Sequence, residues 1–186
     1  MDPISMLRKA VDQTGRIVAG VKPDQLSGST PCAEWDTRAL LNHTIAAVEM
    51  FDNAAQTKPF NPSIFADDNV GDDPSASYER RATALRGTLA QPNVVDRTWT
   101  MPFGEVPGVV GAGFATLELF QHGWDVARAS GQQIDFDADV TEAANATAQL
   151  MPAEQVRVAG VFGAQGSCPP DASAEDRLAA FLGRPL

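Results

Sequence analysis

The chain has 186 residues, of which 44% are hydrophobic and 20% charged, and its 24 acidic and 14 basic side chains give a formal net charge of −10. This length predicts one globular domain with a sizeable core, and the composition excludes a disordered, collagen-like or disulfide-scaffold chain. The acidic balance repels phosphate backbones, so we expect no nucleic-acid partner.

Neither a membrane nor an export route is indicated. No apolar run approaches the roughly 20 residues that span a bilayer, and the amino terminus lacks the basic start and apolar core of a secretory signal. We therefore expect a cytoplasmic protein with no membrane partner, in which Cys32 and Cys168 are reduced thiols.

Helix caps and apolar residues at helical spacing predict six helices. Asp2 and Asp73 each precede a proline, Asp36 is a good N-cap, and Ser173 opens a capping box. The predicted helices cover about residues 3–20, 37–55, 74–90, 107–130, 141–151 and 174–182. Between them, a short strand is predicted over 94–101 with a hairpin turn over 102–107, and a long polar loop over 56–74 is typical of a lid or a mobile insertion.

The fourth predicted helix is apolar on nearly every side, which places it at the centre of the fold. The expected class is all-α, an up-and-down four-helix bundle with a short β hairpin and a C-terminal helical extension. We expect residues 1–186 to form a single domain. Its extension, about 139–186, should dock on the bundle because its helices are too short to bury their faces alone.

The two histidines of the chain both fall in predicted helices. His122 follows Glu118 by four residues, so the two share one face of the central helix, and His43 lies at the edge of the apolar face of the second helix. A buried carboxylate needs compensation, and a divalent metal would supply it. Zinc accepts two imidazoles and a carboxylate with one position left open, and nickel or iron would tolerate the same ligands. The alternatives are a surface ion pair for Glu118 and His122, and a hydrogen-bonded core histidine for His43.

Three segments resemble one known family. Residues 30–43 (TPCAEWDTRALLNH) and 118–132 (ELFQHGWDVARASGQ) resemble the two signatures of the mycothiol-dependent maleylpyruvate isomerase N-terminal domain family, a branch of the DinB/YfiT-like superfamily. Residues 174–184 (AEDRLAAFLGR) resemble a short actinobacterial subgroup of uncharacterised metal-binding members.

This resemblance implies a four-helix bundle whose core holds a divalent metal, usually zinc, on His43, Glu118 and His122. It also implies a reaction in which the metal holds the thiolate of a mycothiol-like cofactor that attacks an electrophile. The chain ends before the larger second domain of the isomerase branch, so isomerase activity itself is not expected.

Five further residues are candidates for the surroundings of the metal. Trp35 and Trp124 suit the core and would also serve as pocket walls. Asp125 suits the orientation of a ligand histidine or a local backbone cap. Cys32 suits packing at a helix start, and a redox thiol or a ligand is the alternative. Arg128 is expected on the solvated surface, and contact with an anionic cofactor is the alternative.

Two functions remain open at this stage. The first is a metal-dependent transferase that uses a low-molecular-weight thiol, with that thiol and an electrophilic substrate as its partners. The alternative is a non-catalytic metal or small-ligand binding protein. An open pocket beside the metal favours the enzyme, and a closed four-ligand site favours a structural role. No catalytic residue is assigned, and a homodimer is left open.

Overall fold

A computed structural model describes residues 1–152, 154, 157 and 162–186. The described part of the chain holds six α-helices and one two-stranded sheet: α1 Pro3–Ala19, α2 Thr37–Ala55, α3 Pro74–Leu89, β1 Thr98–Met101, β2 Gly104–Pro107, α4 Gly108–Ser130, α5 Ala138–Leu150 and α6 Ala174–Phe181. Three short 3₁₀ helices cover Pro23–Gln25, Pro62–Phe65 and Val94–Asp96. The predicted class, a mostly helical bundle with a small hairpin, is confirmed.

The local signals for the helix ends are confirmed. Four predicted N-caps accept a hydrogen bond from the backbone N–H three residues ahead, namely Asp2, Asp36, Asp73 and Ser173. Gly131 ends α4 with a φ of +67°, a left-handed conformation that favours glycine. These capping contacts are encoded within a few residues, and for that reason the predicted bounds of α1 to α4 agree with the structure to within a residue or two.

Two of the predicted elements differ from the structure. The strand over 94–101 is wrong in its first half, because Asn93 turns the chain with a φ of +59° and Trp99 donates its indole N–H to Val94 O at 3.0 Å. Only Thr98–Met101 is extended, and it pairs antiparallel with Gly104–Pro107. The fifth helix begins at Ala138, about one turn earlier than predicted.

The four long helices form a bundle in which α1 and α2 occupy opposite corners. Each of the two packs against both α3 and α4. Glu49 and Asp52 of α2 bond Arg81 and Thr88 of α3, so α2 and α3 run in the same direction.

Contacts with α4 give the other directions. Thr14 bonds Leu119, and Gln132, just past α4, bonds Ile17, so α1 runs parallel to α4. Residues 35 and 43 lie beside residues 122 and 118 respectively, so α2 runs antiparallel to α4. The order of directions is therefore up, down, down, up, with long connections between successive helices. The bundle is confirmed, but the strict up-and-down alternation that the sequence analysis predicts is wrong, because α2 and α3 are parallel.

Helix α4 is the centre of the bundle, as its apolar composition predicts. It contacts α1, α2, α5 and α6 and is buried along most of its length. A Cβ at Gly111 would lie 2.6 Å from the Trp99 ring, and one at Gly123 would lie 2.8 Å from the hydroxyl of Thr14. Glycine lets the neighbouring side chains approach α4 closely, and the helix carries its polar residues into a crowded interior.

Residues after α5 also contact α4. The indole of Trp124 donates to Asp176 of α6 at 3.0 Å, and Arg184, after α6, bonds the carboxylate of Asp125. Lys9 of α1 bonds Asp139 at the start of α5 at 2.6 Å. Within the described residues, no helix combines the length and apolarity that crossing a membrane requires.

Candidate metal centre

The three predicted metal ligands converge where α2 meets α4. His43 Nε2 lies 2.9 Å from Glu118 Oε1, and His122 Nε2 lies 3.3 Å from the same oxygen. One donor atom from each of the three residues lies within 4.8 Å of the other two. Tetrahedral ligands with bonds of about 2.0–2.1 Å stand roughly 3.3–3.4 Å apart, so the spacing and the donor types fit a divalent cation such as zinc.

The site is a partly shielded ion cluster. The side chains of His43 and Glu118 are 27% and 34% exposed, and that of His122 is 9% exposed. Burial acts to raise the pKa of Glu118, but the two imidazoles outweigh it and hold this pKa well below its usual value. Burial acts to lower the pKa of His122, but the Glu118 carboxylate outweighs it and raises this pKa well above its usual value. A solvated surface pair, the alternative for these two residues, would leave both side chains largely exposed.

Asp125 lies behind His122 and is completely buried. Its Oδ2 is 3.1 Å from His122 Nδ1, and it also accepts from Arg184, Gln121 and the thiol of Cys32. Burial acts to raise the pKa of Asp125, but His122 and Arg184 lower it below its usual value. Two roles are open for Asp125 from the sequence: orienting a ligand histidine, or capping local backbone. Its side chain makes the contact that the first role requires.

Aromatic rings and a cleft lie on the solvent side. The ring centroid of Trp35 is 4.7 Å from that of His43, and the centroid of Phe65 is 5.1 Å from His43. A cleft of about 550 Å³ runs along this side of His43; its lining residues are Trp35, Asp36, Arg38, Ala39, Asn42, His43, Phe65, Ala66, Asp67 and Asp68. The 56–74 loop, predicted to be a lid or an insertion, thus supplies one wall of the cleft.

The remaining candidates are distributed differently. Trp124 is fully buried and bonds Asp176, and the exposed Arg128 lies with its guanidinium carbon 5.3 Å from the Trp124 ring centroid. Neither of the two lines the cleft. Cys32 is a free thiol 3.3 Å from Asp125 Oδ2, and together with His122 and Asp125 it forms a second group of donors that could hold a metal.

Sequence reasoning missed Arg184, Gln121 and Phe65. Gln121 lies within the second signature, four residues before Asp125, and this helical spacing could have indicated the contact. Phe65 follows no local pattern that points to His43. Arg184 is 59 residues from Asp125 in the chain, and only the fold brings the two together.

Comparison with known proteins assigns the architecture and then the family. A crystal structure of a histidine-to-alanine variant of mycothiol-dependent maleylpyruvate isomerase superposes with a TM-score of 0.63 at 13% identity, which shows a common fold. The superposition covers 78% of this chain and 66% of that one. Two uncharacterised proteins, from two strains of Mycobacterium tuberculosis, are each 34% identical over 185 residues, or 99% of this chain and 98% of the relative. The profile of the mycothiol maleylpyruvate isomerase N-terminal domain matches residues 7–127, and the chain belongs to this family.

Proposed function

We propose that the chain binds a divalent metal through His43, Glu118 and His122 and activates a low-molecular-weight thiol, of the mycothiol type, for transfer to an electrophile. The observation that carries this proposal is the meeting of three donor atoms from α2 and α4 beside an open cleft. The mycothiol dependence named for the structural relative supports the choice of thiol.

The donor set suits zinc best, and nickel or iron are the alternatives. A divalent cation held there would act as a Lewis acid and lower the pKa of a thiol bound to it, so that a nucleophilic thiolate exists at neutral pH. The negative charge of Glu118 would be compensated in the same complex, which removes the cost of its partial burial.

The surrounding side chains orient the ligands. Asp125 accepts a hydrogen bond from His122 Nδ1, which leaves Nε2 directed at Glu118 and His43. Trp35 and Phe65 pack against the imidazole of His43 and limit its rotation.

The cleft has the composition expected if a cofactor supplies the nucleophile. Its ten lining residues include no serine, cysteine or lysine. The exposure of His43 and Glu118 leaves a route for a small thiol to reach their donor atoms. An open site of this kind favours the transferase over a non-catalytic metal-binding protein.

The test is the metal content of protein purified without an affinity tag, measured by mass spectrometry. We expect metal in the wild type and in the control Glu105→Gln, which changes an exposed acid of β2. Glu118→Gln and His122→Ala should lose metal while circular dichroism shows a folded bundle. Equal metal in all four proteins would contradict the proposed site.

Turnover is tested separately on the metal-loaded protein with mycothiol and a series of electrophiles. Transfer that requires both the metal and the thiol supports the enzyme. Bound metal without transfer to any electrophile would support the non-catalytic alternative instead.

A further inference from the structure

We propose that Arg184 is a positioning residue of the metal centre, which holds Asp125 as the outer partner of His122. This inference rests on the proposed metal site. It adds a residue from the end of the chain, outside the 7–127 region that matches the family.

The contact between Arg184 and Asp125 uses both carboxylate oxygens. Arg184 Nε lies 3.0 Å from Oδ1 and 3.2 Å from Oδ2, and Nη2 lies 3.1 Å from Oδ2. The Asp125 side chain is fully buried and that of Arg184 is 17% exposed. A two-point contact between planar groups fixes the carboxylate plane as well as its position.

The orientation of Asp125 passes to the metal ligand through one hydrogen bond. Asp125 Oδ2 is 3.1 Å from His122 Nδ1, and the other ring nitrogen, Nε2, is 3.3 Å from Glu118 Oε1. An imidazole is rigid, so a partner that fixes Nδ1 also directs Nε2. Arg184 therefore acts on the metal site indirectly, through Asp125 and the orientation of the His122 ring.

Arg184 also separates two overlapping donor groups. His122 belongs both to the group with His43 and Glu118 and to the group with Cys32 and Asp125. While the guanidinium occupies both oxygens of Asp125, this carboxylate serves as an outer hydrogen-bond acceptor and not as a ligand.

Backbone hydrogen bonds and a turn after α6 fix the position of Arg184. Its N–H donates to Ala179 O at 2.9 Å, and Gly183 adopts a φ of +91°, which turns the chain sharply after α6. Leu182 O accepts from Gly163 N at 3.0 Å. The arginine is thus presented by an anchored turn, so little ordering is needed to form the contact.

The experiment is a competition titration of Zn²⁺ alone against a chromophoric chelator. Arg184→Met should bind Zn²⁺ about 10–100-fold more weakly than the wild type, the range typical for loss of an outer partner. Arg184→Lys should recover only part of the affinity, because an ammonium lacks the two-point geometry. The matched control Arg177→Met, an exposed arginine of α6, should bind Zn²⁺ as the wild type does.

A double-mutant cycle distinguishes positioning from a general loss of stability. In an Asp125→Asn background, Arg184→Met should cause little further loss of Zn²⁺ affinity, since the group through which it acts has changed. The visible spectrum of bound Co²⁺ should change in Arg184→Met and not in Arg177→Met. Additive losses in the cycle, or an unchanged Co²⁺ spectrum, would overturn the proposal.

His43→Ala separates this inference from the proposed function. If His43→Ala binds Zn²⁺ as tightly as the wild type, the metal site itself is wrong. If His43→Ala loses Zn²⁺ but Arg184→Met and Arg184→Lys match the wild type, the metal site stands and only the role of Arg184 is refuted. Thermal unfolding of the metal-free variants checks that each is folded. If Arg184→Met does not fold, the Zn²⁺ affinity of Arg184→Lys tests the role of Arg184.

Discussion

The thiol of Cys32 contacts the carboxylate of Asp125, which faces His122 Nδ1, whereas the proposed metal would be held at Nε2. Cys32 is half-buried and contacts Asp125 Oδ2, whereas the imidazole Nε2 faces Glu118. Cys32 thus donates a hydrogen bond to the buried carboxylate. Among the described residues, the structure records no hydrogen bond from Cys32 to His43 or Glu118. Packing at the start of α2, which was one interpretation of its sequence position, agrees with this location.

We expect Cys32→Ser to retain the metal content of the wild type. A serine hydroxyl can donate to Asp125 as the thiol does, and the proposed ligand set is unchanged. Mass spectrometry of the untagged proteins measures the result, with His122→Ala as the control that should lose metal. Loss of metal in Cys32→Ser would place the thiol among the ligands.

At the scale of elements, the close approach of the hairpin to α4 depends on glycines of α4, and Gly111 is the one that faces the Trp99 ring. The Trp99 ring of β1 is fully buried, and a Cβ on Gly111 would lie 2.6 Å from it. Contacts this short require a shift of the backbone or of a large ring, both of which are tightly packed here.

We expect Gly111→Ala to lower the free energy of unfolding by about 1–3 kcal/mol, the usual cost of overpacking a core. Gly87→Ala is the matched control, because Gly87 is in α3 with open space around its Cα. It should raise stability by about 0.5–1 kcal/mol, since alanine favours a helix over glycine. Denaturant titration of both variants measures the difference, and equal changes would contradict the close packing of β1 on α4.

At the scale of the whole molecule, the metal is expected to add stability to a core that does not depend on it. A single large apolar cluster includes residues from α1 to α6 and the hairpin. A ligand bound only to the native state stabilises it by mass action. We therefore expect the protein to stay folded without the proposed metal, unlike a zinc finger, which is unfolded without its metal.

Removal of the metal with a chelator should lower the melting temperature while the helical signal at 25 °C is retained. Differential scanning calorimetry measures the shift, and circular dichroism checks the fold. The shift should be absent in His122→Ala, because this variant is expected to bind no metal. Complete unfolding of the chelated wild type at 25 °C would contradict this prediction.

The acidic charge extends to the mouth of the cleft. The cleft is lined by Asp36, Asp67 and Asp68. Arg38 also lines it, but its positive charge is already compensated, because Arg38 bonds both carboxylate oxygens of Asp68 at 3.0 Å. Together with the net charge of −10, this field opposes anionic ligands.

If the proposed transfer occurs, neutral electrophiles should react faster than anionic analogues of the same size at low salt. Added salt should narrow the gap, because it screens exposed charges. Rates for a neutral and anionic pair at two ionic strengths measure the effect. An anionic analogue that reacts faster at low salt would contradict it.

We also propose that residues 1–186 form one domain, with the segment from about 139 docked on the bundle. Trp124–Asp176, Lys9–Asp139 and Arg184–Asp125 support this proposal. NMR relaxation should give the same tumbling time for α4 and α6. A shorter time for α6 would contradict the docking.

The helices and the candidate donor side chains on them were predictable from the sequence, because their signals are local. Asp36, three residues before Ala39, caps α2 through a contact within one turn. Glu118 and His122 share a face by helical spacing alone. The sequence resemblance added the family, which the match over residues 7–127 confirms.

Only the tertiary structure decided which helices are neighbours and what surrounds the donors. The opposite corners of α1 and α2, the shortened strand at Trp99, the wall supplied by Phe65 and the contact of Arg184 with Asp125 all join residues that are distant in the chain or override a local preference. Such contacts depend on how every element packs at once, and no pattern within a few residues encodes them. By itself the sequence determined which groups are available to the site, and the packing determined which of them meet.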